Sequence, residues 1–134
     1  MANFRYHDDA VNPFKPGMTR GQLREILGDF NEFRKTKFSK NSTDEFLSSS
    51  VHVFYHENGI VKGVEIFKNS EFIIFGKNLF KMSAHEAMSF IENNGADVSC
   101  SDVGFNVDSL GIRIYAPEMM DEENAKIKSI YIEI

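Results

Sequence analysis

Tryptophan is absent from the 134 residues, cysteine occurs once and proline three times. A single thiol, Cys100, excludes an internal disulfide, so the fold is held by noncovalent contacts alone. No apolar run approaches the ~20 residues that cross a bilayer, and the opening MANFRYHDDAV holds none that would serve as a signal peptide. A cytoplasmic protein with no membrane segment is the simplest expectation. The chain also lacks a nucleophile elbow, a phosphate-cradling glycine loop and a dinucleotide fingerprint. Without tryptophan for sugar stacking, a glycosidase in so short a chain is disfavoured.

Positive charge is scarce where it would matter for nucleic acid. Residues 1–67 hold 9 Lys+Arg against 9 Asp+Glu, and residues 68–134 hold 6 against 11, so the net charge of −5 lies wholly in the second half. Asp97–Glu123 carries seven carboxylates and one cation, Arg113. Phosphate binding needs clustered Lys and Arg, so nucleic acid is not the expected partner. The acidic stretch is either a solvated face kept for solubility or a surface for a basic protein partner.

What is present points to one domain, residues 1–134, with a core rich in phenylalanine, of which there are 13. The clearest local signal is MTRGQLREILG at Met18–Gly28, with a weaker copy at Met82, MSAHEAMSFIENNG. In each, a hydroxyl residue (Thr19, Ser83) precedes Gln22 or Glu86 by three places, the capping-box spacing that starts a helix. Apolar residues at helical spacing and a closing glycine, Gly28 or Gly95, predict helices over Arg20–Leu27 and Ala84–Asn93.

Residues 1–17 read as irregular, with Phe4, Tyr6 and Phe14 available to pin the arm to the core. Arg34–Ser50 is either a long loop or an edge strand with Phe38 and Phe46 pointing inward. Period-two alternation predicts a hairpin, Val51–Tyr55 and Ile60–Phe67 around Asn58-Gly59, and a third strand at Glu71–Phe75. The second half offers a short strand at Val103–Phe105, a clear one at Leu110–Tyr115, an acidic connection over Ala116–Ala125, and a last strand at Ile127–Ile134. The expected fold is therefore α+β, two helix-led units (18–76 and 82–134) with helices packed on one face of an antiparallel sheet. Thr19 and Ser83 are 64 residues apart, and the strand ends Phe67 and Glu133 are 66 apart, the spacing of a pseudo-repeat. The expected core is Leu23, Ile26, Leu27, Val53, Val64, Ile66, Phe90, Ile91, Ile112, Ile114, Ile130 and Ile132.

The stretch PGMTRGQLREILG, followed by a meander and a second helix-led copy, resembles the β-lactamase-inhibitor-protein-like (BLIP-like) repeat. That resemblance implies short helices leading an antiparallel sheet and a protein-binding surface; it transfers no catalytic residue. In size, acidity and lack of an export signal the chain is also similar to cytosolic immunity proteins of bacterial toxin systems.

Candidate chemistry is thin. His52 and His56 share a face whether helix or strand, but no third metal ligand lies nearby in sequence. His85-Glu86 begins a zincin signature that fails at Ser89. Cys100 has no neighbouring cation to lower its thiol pKa. The carboxylates of the second half lack calcium-loop spacing. No cofactor, metal or catalytic group is expected, and the chain is expected not to be an enzyme. The expected function is a protein that occludes a basic toxin or effector, using Asp102, Asp108, Tyr115, Glu118, Met119, Met120, Asp121, Glu122 and Glu123. Tyr115, Met119 and Met120 are the anchor candidates. The alternative is a small-ligand-binding or regulatory domain with a phenylalanine-lined pocket between helices and sheet.

Overall fold

Both capping boxes form. In the computed structural model, which describes residues 3–7, 10–34 and 36–134, the Thr19 hydroxyl accepts from the Gln22 N–H at 3.2 Å, and the Gln22 side chain accepts from Thr19 N–H at 2.9 Å. Ser83 and Glu86 make the same reciprocal pair at 3.2 and 3.3 Å. The helices they start are α1 (Arg20–Leu27) and α2 (Ala84–Asn93), where the cap spacing places them. Neither is long and apolar enough to cross a membrane.

The rest of the described chain is mostly β. Twelve strands run β1 (Asn3–His7), β2 (Ala10–Asn12), β3 (Phe30–Phe33), β4 (Thr43–Phe46), β5 (Val51–Tyr55), β6 (Val61–Phe67), β7 (Glu71–Ile74), β8 (Lys77–Asn78), β9 (Ser99–Ser101), β10 (Gly104–Val107), β11 (Ile112–Tyr115) and β12 (Ser129–Glu133). Eight form one antiparallel sheet in the order β3-β4-β5-β6-β12-β11-β10-β9, and four form a second in the order β2-β1-β7-β8, with β1 and β7 parallel. This overturns the α+β expectation of helices packed on one face of a sheet. The helices are only 8 and 10 residues long, whereas residues 1–17, 29–50 and 96–110, where only a possible edge strand within Arg34–Ser50 and a short strand at Val103–Phe105 are expected, supply six strands. The strand at Glu71 also does not extend the first hairpin; it pairs with β1 in the second sheet.

The large sheet reads the same from either edge. Its middle is the β6–β12 pair, with Val64 opposite Ile132 and Ile66 opposite Ile130. Each half runs outward through three more strands, and each helix cap is bridged to the residue that leads its last strand region, Thr19 to Ile60 and Ser83 to Lys126. Following the register outward from the centre, Asp44 stands where Phe105 stands in the other half, and Glu32 where Cys100 does.

Alternation gives the sheet one buried face. Val51, Val53, Val64, Ile66, Phe105, Val107, Ile112, Ile114, Ile130 and Ile132 join Phe4, Phe14, Phe72 and Leu79 in one core. Of the expected core, Leu27 and Phe90 are half-buried, and Ile26 is 55% exposed. Helix α1 buries only Leu23, because its other inward positions are Arg20 and Arg24. Phe46 is buried as expected, but Phe38 is 82% exposed on the β3–β4 loop. The opposite face of the sheet is half-buried and aromatic. The His52 ring sits edge-on between Phe33 and Phe67, with centroids at 5.2 and 4.7 Å. Tyr131 lies across Gly63, where an added Cβ would come within 2.2 Å of the phenol oxygen. Burial, and next the nearby Glu133 carboxylate, push the Tyr131 hydroxyl pKa up.

Candidate functional site

The acidic connection between β11 and β12 is a tight double turn. Asp121 and Glu122 N–H groups donate to the Glu118 carbonyl at 3.0 and 2.8 Å, and Met119 N–H donates to Ala116 at 3.1 Å. This winding turns Glu118, Asp121, Glu122 and Glu123 outward, all exposed, and divides the two methionines. Met120 is 69% exposed. Met119 is 3% exposed and belongs to the core, so it is not available as a surface anchor. Its carbonyl oxygen lies 2.7 Å from His85 Nε2, which donates there and ties the turn to α2. A shallow groove of about 540 Å³ runs along His85, Met120 and the carboxylates.

Tyr115, 43% exposed, ends β11 beside this turn. Ala116 N–H donates to the Val103 carbonyl at 2.8 Å, bringing the β9–β10 turn with exposed Asp102 and Val103 to the same end of the sheet. Asp108 is elsewhere. It follows Val107 at the opposite end of β10 and lines a different cavity, of about 420 Å³, with Tyr6, Pro16 and Glu133. The structure thus gathers Asp102, Tyr115, Glu118, Met120, Asp121, Glu122 and Glu123, and separates Asp108.

Two arrangements had no signature in the sequence. In the first, Asp44 is a fully buried carboxylate. Arg24 donates to its two oxygens from Nε and Nη2, each at 2.8 Å; Arg20 donates at 3.3 Å and the Tyr55 hydroxyl at 3.0 Å. Arg20 also stacks 4.2 Å above the Tyr55 ring, and Arg24 lies 4.0 Å above Phe30. The hydrogen bonds to Asp44 raise the Arg24 pKa further, and burial, followed by the Asp44 charge, pushes the Tyr55 hydroxyl up. Glu32 is held below the usual carboxylate range by the Ser42 hydroxyl at 2.5 Å, then by Arg24 at 2.9 Å. Every charge here is spent on a neighbour, so this cluster fastens α1 to β3, β4 and β5.

The second is a cavity of about 610 Å³, lined by Phe46, Leu47, Phe67, Ser50, Lys68 and Lys128 among others. All its walls are strands and turns; no helix contributes, unlike the pocket expected between helices and sheet. Glu45 and His52 stand on its wall, His52 Nε2 lying 3.2 Å from the Glu45 carboxylate. His52 Nδ1 is buried with no hydrogen-bond partner among the described residues. His56, expected to share its face, is exposed just beyond β5. No group of three or more His, Cys, Asp or Glu that would hold a metal occurs among the described residues. Cys100 is exposed on edge strand β9, 3.8 Å from the Met88 sulfur.

Compared with family models, curated proteins and solved structures, the chain gives no match in any of the three.

Proposed function

We propose that this chain is a protein-binding module that captures a basic protein partner and acts by occlusion, without a catalytic step of its own. The observation that supports the reading is the end of the large sheet, where exposed Met120 and Tyr115 stand among the carboxylates of Asp102, Glu118, Asp121, Glu122 and Glu123. Apolar anchors framed by a mainly acidic surface, in which Lys128 pairs with Glu118 at 3.3 Å, suit a partner with an apolar centre and a Lys/Arg rim. The carboxylates steer encounter and fix register, and the anchors set the lifetime. The resemblance to BLIP-like repeats and the profile of cytosolic immunity proteins extend the reading to a cytoplasmic bacterial protein that neutralises a toxin or effector.

The test is capture from a host lysate with the full chain as bait, alongside the variant Asp121→Lys/Glu122→Lys/Glu123→Lys. The expected result is a basic protein held in a one-to-one ratio by the parent chain, and lost both at high salt and with the variant. For the purified pair, charge reversal should slow association about tenfold at low ionic strength, with the difference shrinking as salt is added. Met120→Ala should leave association unchanged and speed dissociation about tenfold. An association rate indifferent to charge reversal removes the acidic turn from the mechanism.

A further inference from the structure

We infer that the 610 Å³ cavity is a binding site for a small amphipathic organic anion, a medium-chain or aromatic body carrying one carboxylate. Its volume falls within the ~300–1,000 Å³ typical of small-molecule sites. Its apolar surface comes from Phe67, half-buried beside Glu45 and His52, and from Leu47, exposed at its edge, while Phe46 and Val51 behind it belong to the buried core face. A carboxylate-bearing chain buries its apolar part against these side chains and leaves its charged end at the mouth.

The mouth holds an ammonium that can receive that end. Lys68, in the turn after β6, is exposed, and no carboxylate lies within ion-pair distance of it among the described residues. Lys128, just before β12, is the second ammonium and shares its charge with Glu118 at 3.3 Å. The one carboxylate on the wall, Glu45, is engaged by His52. The site thus offers one unshared cation, one shared cation and a paired acid. A neutral or cationic ligand forgoes the Lys68 contact.

The rim is built without the ligand. Ser50 adopts φ of +51°, a conformation that residues with a side chain rarely take, and structures hold such residues where geometry is required. Its carbonyl accepts from Phe67 N–H at 3.0 Å, and the Ser70 hydroxyl donates to the neighbouring Ser49 carbonyl at 2.5 Å. These bonds join the β4–β5 turn to the β6–β7 turn, the two lips of the cavity. The inference stands apart from the protein-binding reading, since neither Met120 nor the acidic turn's carboxylates line this cavity.

The experiment is an amide-resolved NMR titration of the full chain with octanoate, with octylammonium as the opposite-charge probe. Octanoate is expected to give saturable shifts confined to residues 45–52, 67–69 and 128, and octylammonium to bind at least tenfold more weakly. Lys68→Glu should weaken octanoate about tenfold, and Lys68→Arg should retain it. Leu47→Glu, at an exposed edge position, supplies a second variant with the same expected loss, and the spectra themselves report whether each variant is folded. Octanoate shifts scattered over the surface, equal binding of both probes, or indifference to both variants would overturn the inference.

Discussion

Replacing Asp44 by asparagine is expected to cost about 3–5 kcal/mol and to lower Tm by roughly 10–20 °C, measured by thermal and denaturant unfolding. The carboxylate is fully buried and receives Arg24 twice at 2.8 Å, Arg20 at 3.3 Å and the Tyr55 hydroxyl at 3.0 Å. Asparagine keeps one acceptor but turns an amide N–H₂ toward a guanidinium, leaving two partly buried cations facing a neutral side chain. Glu32 and Ser42 soften the loss, since they already accept from the same arginines. The other half of the sheet supplies a sharper test. There the positions of Asp44, Arg20 and Arg24 are held by Phe105, Ala84 and Met88, and the Arg24–Glu32 contact is replaced by the Met88–Cys100 sulfur contact. Asp44→Phe alone should destabilise at least as much as asparagine, whereas Asp44→Phe with Arg20→Ala, Arg24→Met and Tyr55→Phe, which also removes the hydroxyl that donates to Asp44, should recover most of the loss. A buried ion network exchanged whole for apolar groups is often neutral; one broken by removing a single partner is not. If Asp44→Asn costs under about 1 kcal/mol, the network does not hold α1 to the sheet.

That network also marks the limit of what the chain spells out. Caps are local, so Thr19–Gln22 and Ser83–Glu86 placed both helices, and the alternation of Val51–Tyr55, Val61–Phe67 and Ile112–Tyr115 placed the central strands. Strands β3, β4 and β9 are FNEF, TDEF and SCS, short and polar, and become strands because a neighbour offers its edge. Beyond Phe46 as an inward candidate, little within such segments signals this, and α+β therefore gave way to a mostly β chain. Ile26 sits three residues after Leu23, yet α1 turns Arg20 and Arg24 inward, a choice fixed by Asp44 twenty residues on from Arg24. The candidate site divides in the same way. The carboxylates of 118–123 are adjacent in sequence and were legible, but the burial of Met119 beside exposed Met120 depends on turn winding. The 610 Å³ cavity joins residues 45–47, 50–52, 67–69 and 128, which only the sheet register brings together.

Gly104→Ala is expected to cost more than any other glycine-to-alanine change among the described residues, about 3–5 kcal/mol. The backbone there has φ of +153°, and an added Cβ would lie 1.9 Å from the Ile114 carbonyl oxygen and 3.0 Å from its carbon. Those are backbone atoms of the adjacent strand, so no rotamer relieves the overlap; β10 and β11 must part at that end. Parting them loses the Gly104–Tyr115 register and the Ala116–Val103 hydrogen bond, and it begins to uncover Phe105. Gly63→Ala provides the comparison, because its closest contact, 2.2 Å to the Tyr131 hydroxyl, involves a side chain on a half-exposed face. The ring can swing aside, so the cost there should stay near 1–2 kcal/mol and register as lost aromatic packing. Hydrogen exchange separates the two mechanisms. Gly104→Ala should deprotect the amides of β10 and β11 selectively, while Gly63→Ala should leave the β5–β6 and β6–β12 ladders protected. Equal costs, or a deprotection shared across the whole sheet, would mean that the close approach of β10 to β11 is not what fixes the end of the sheet where Tyr115 and the acidic turn are presented.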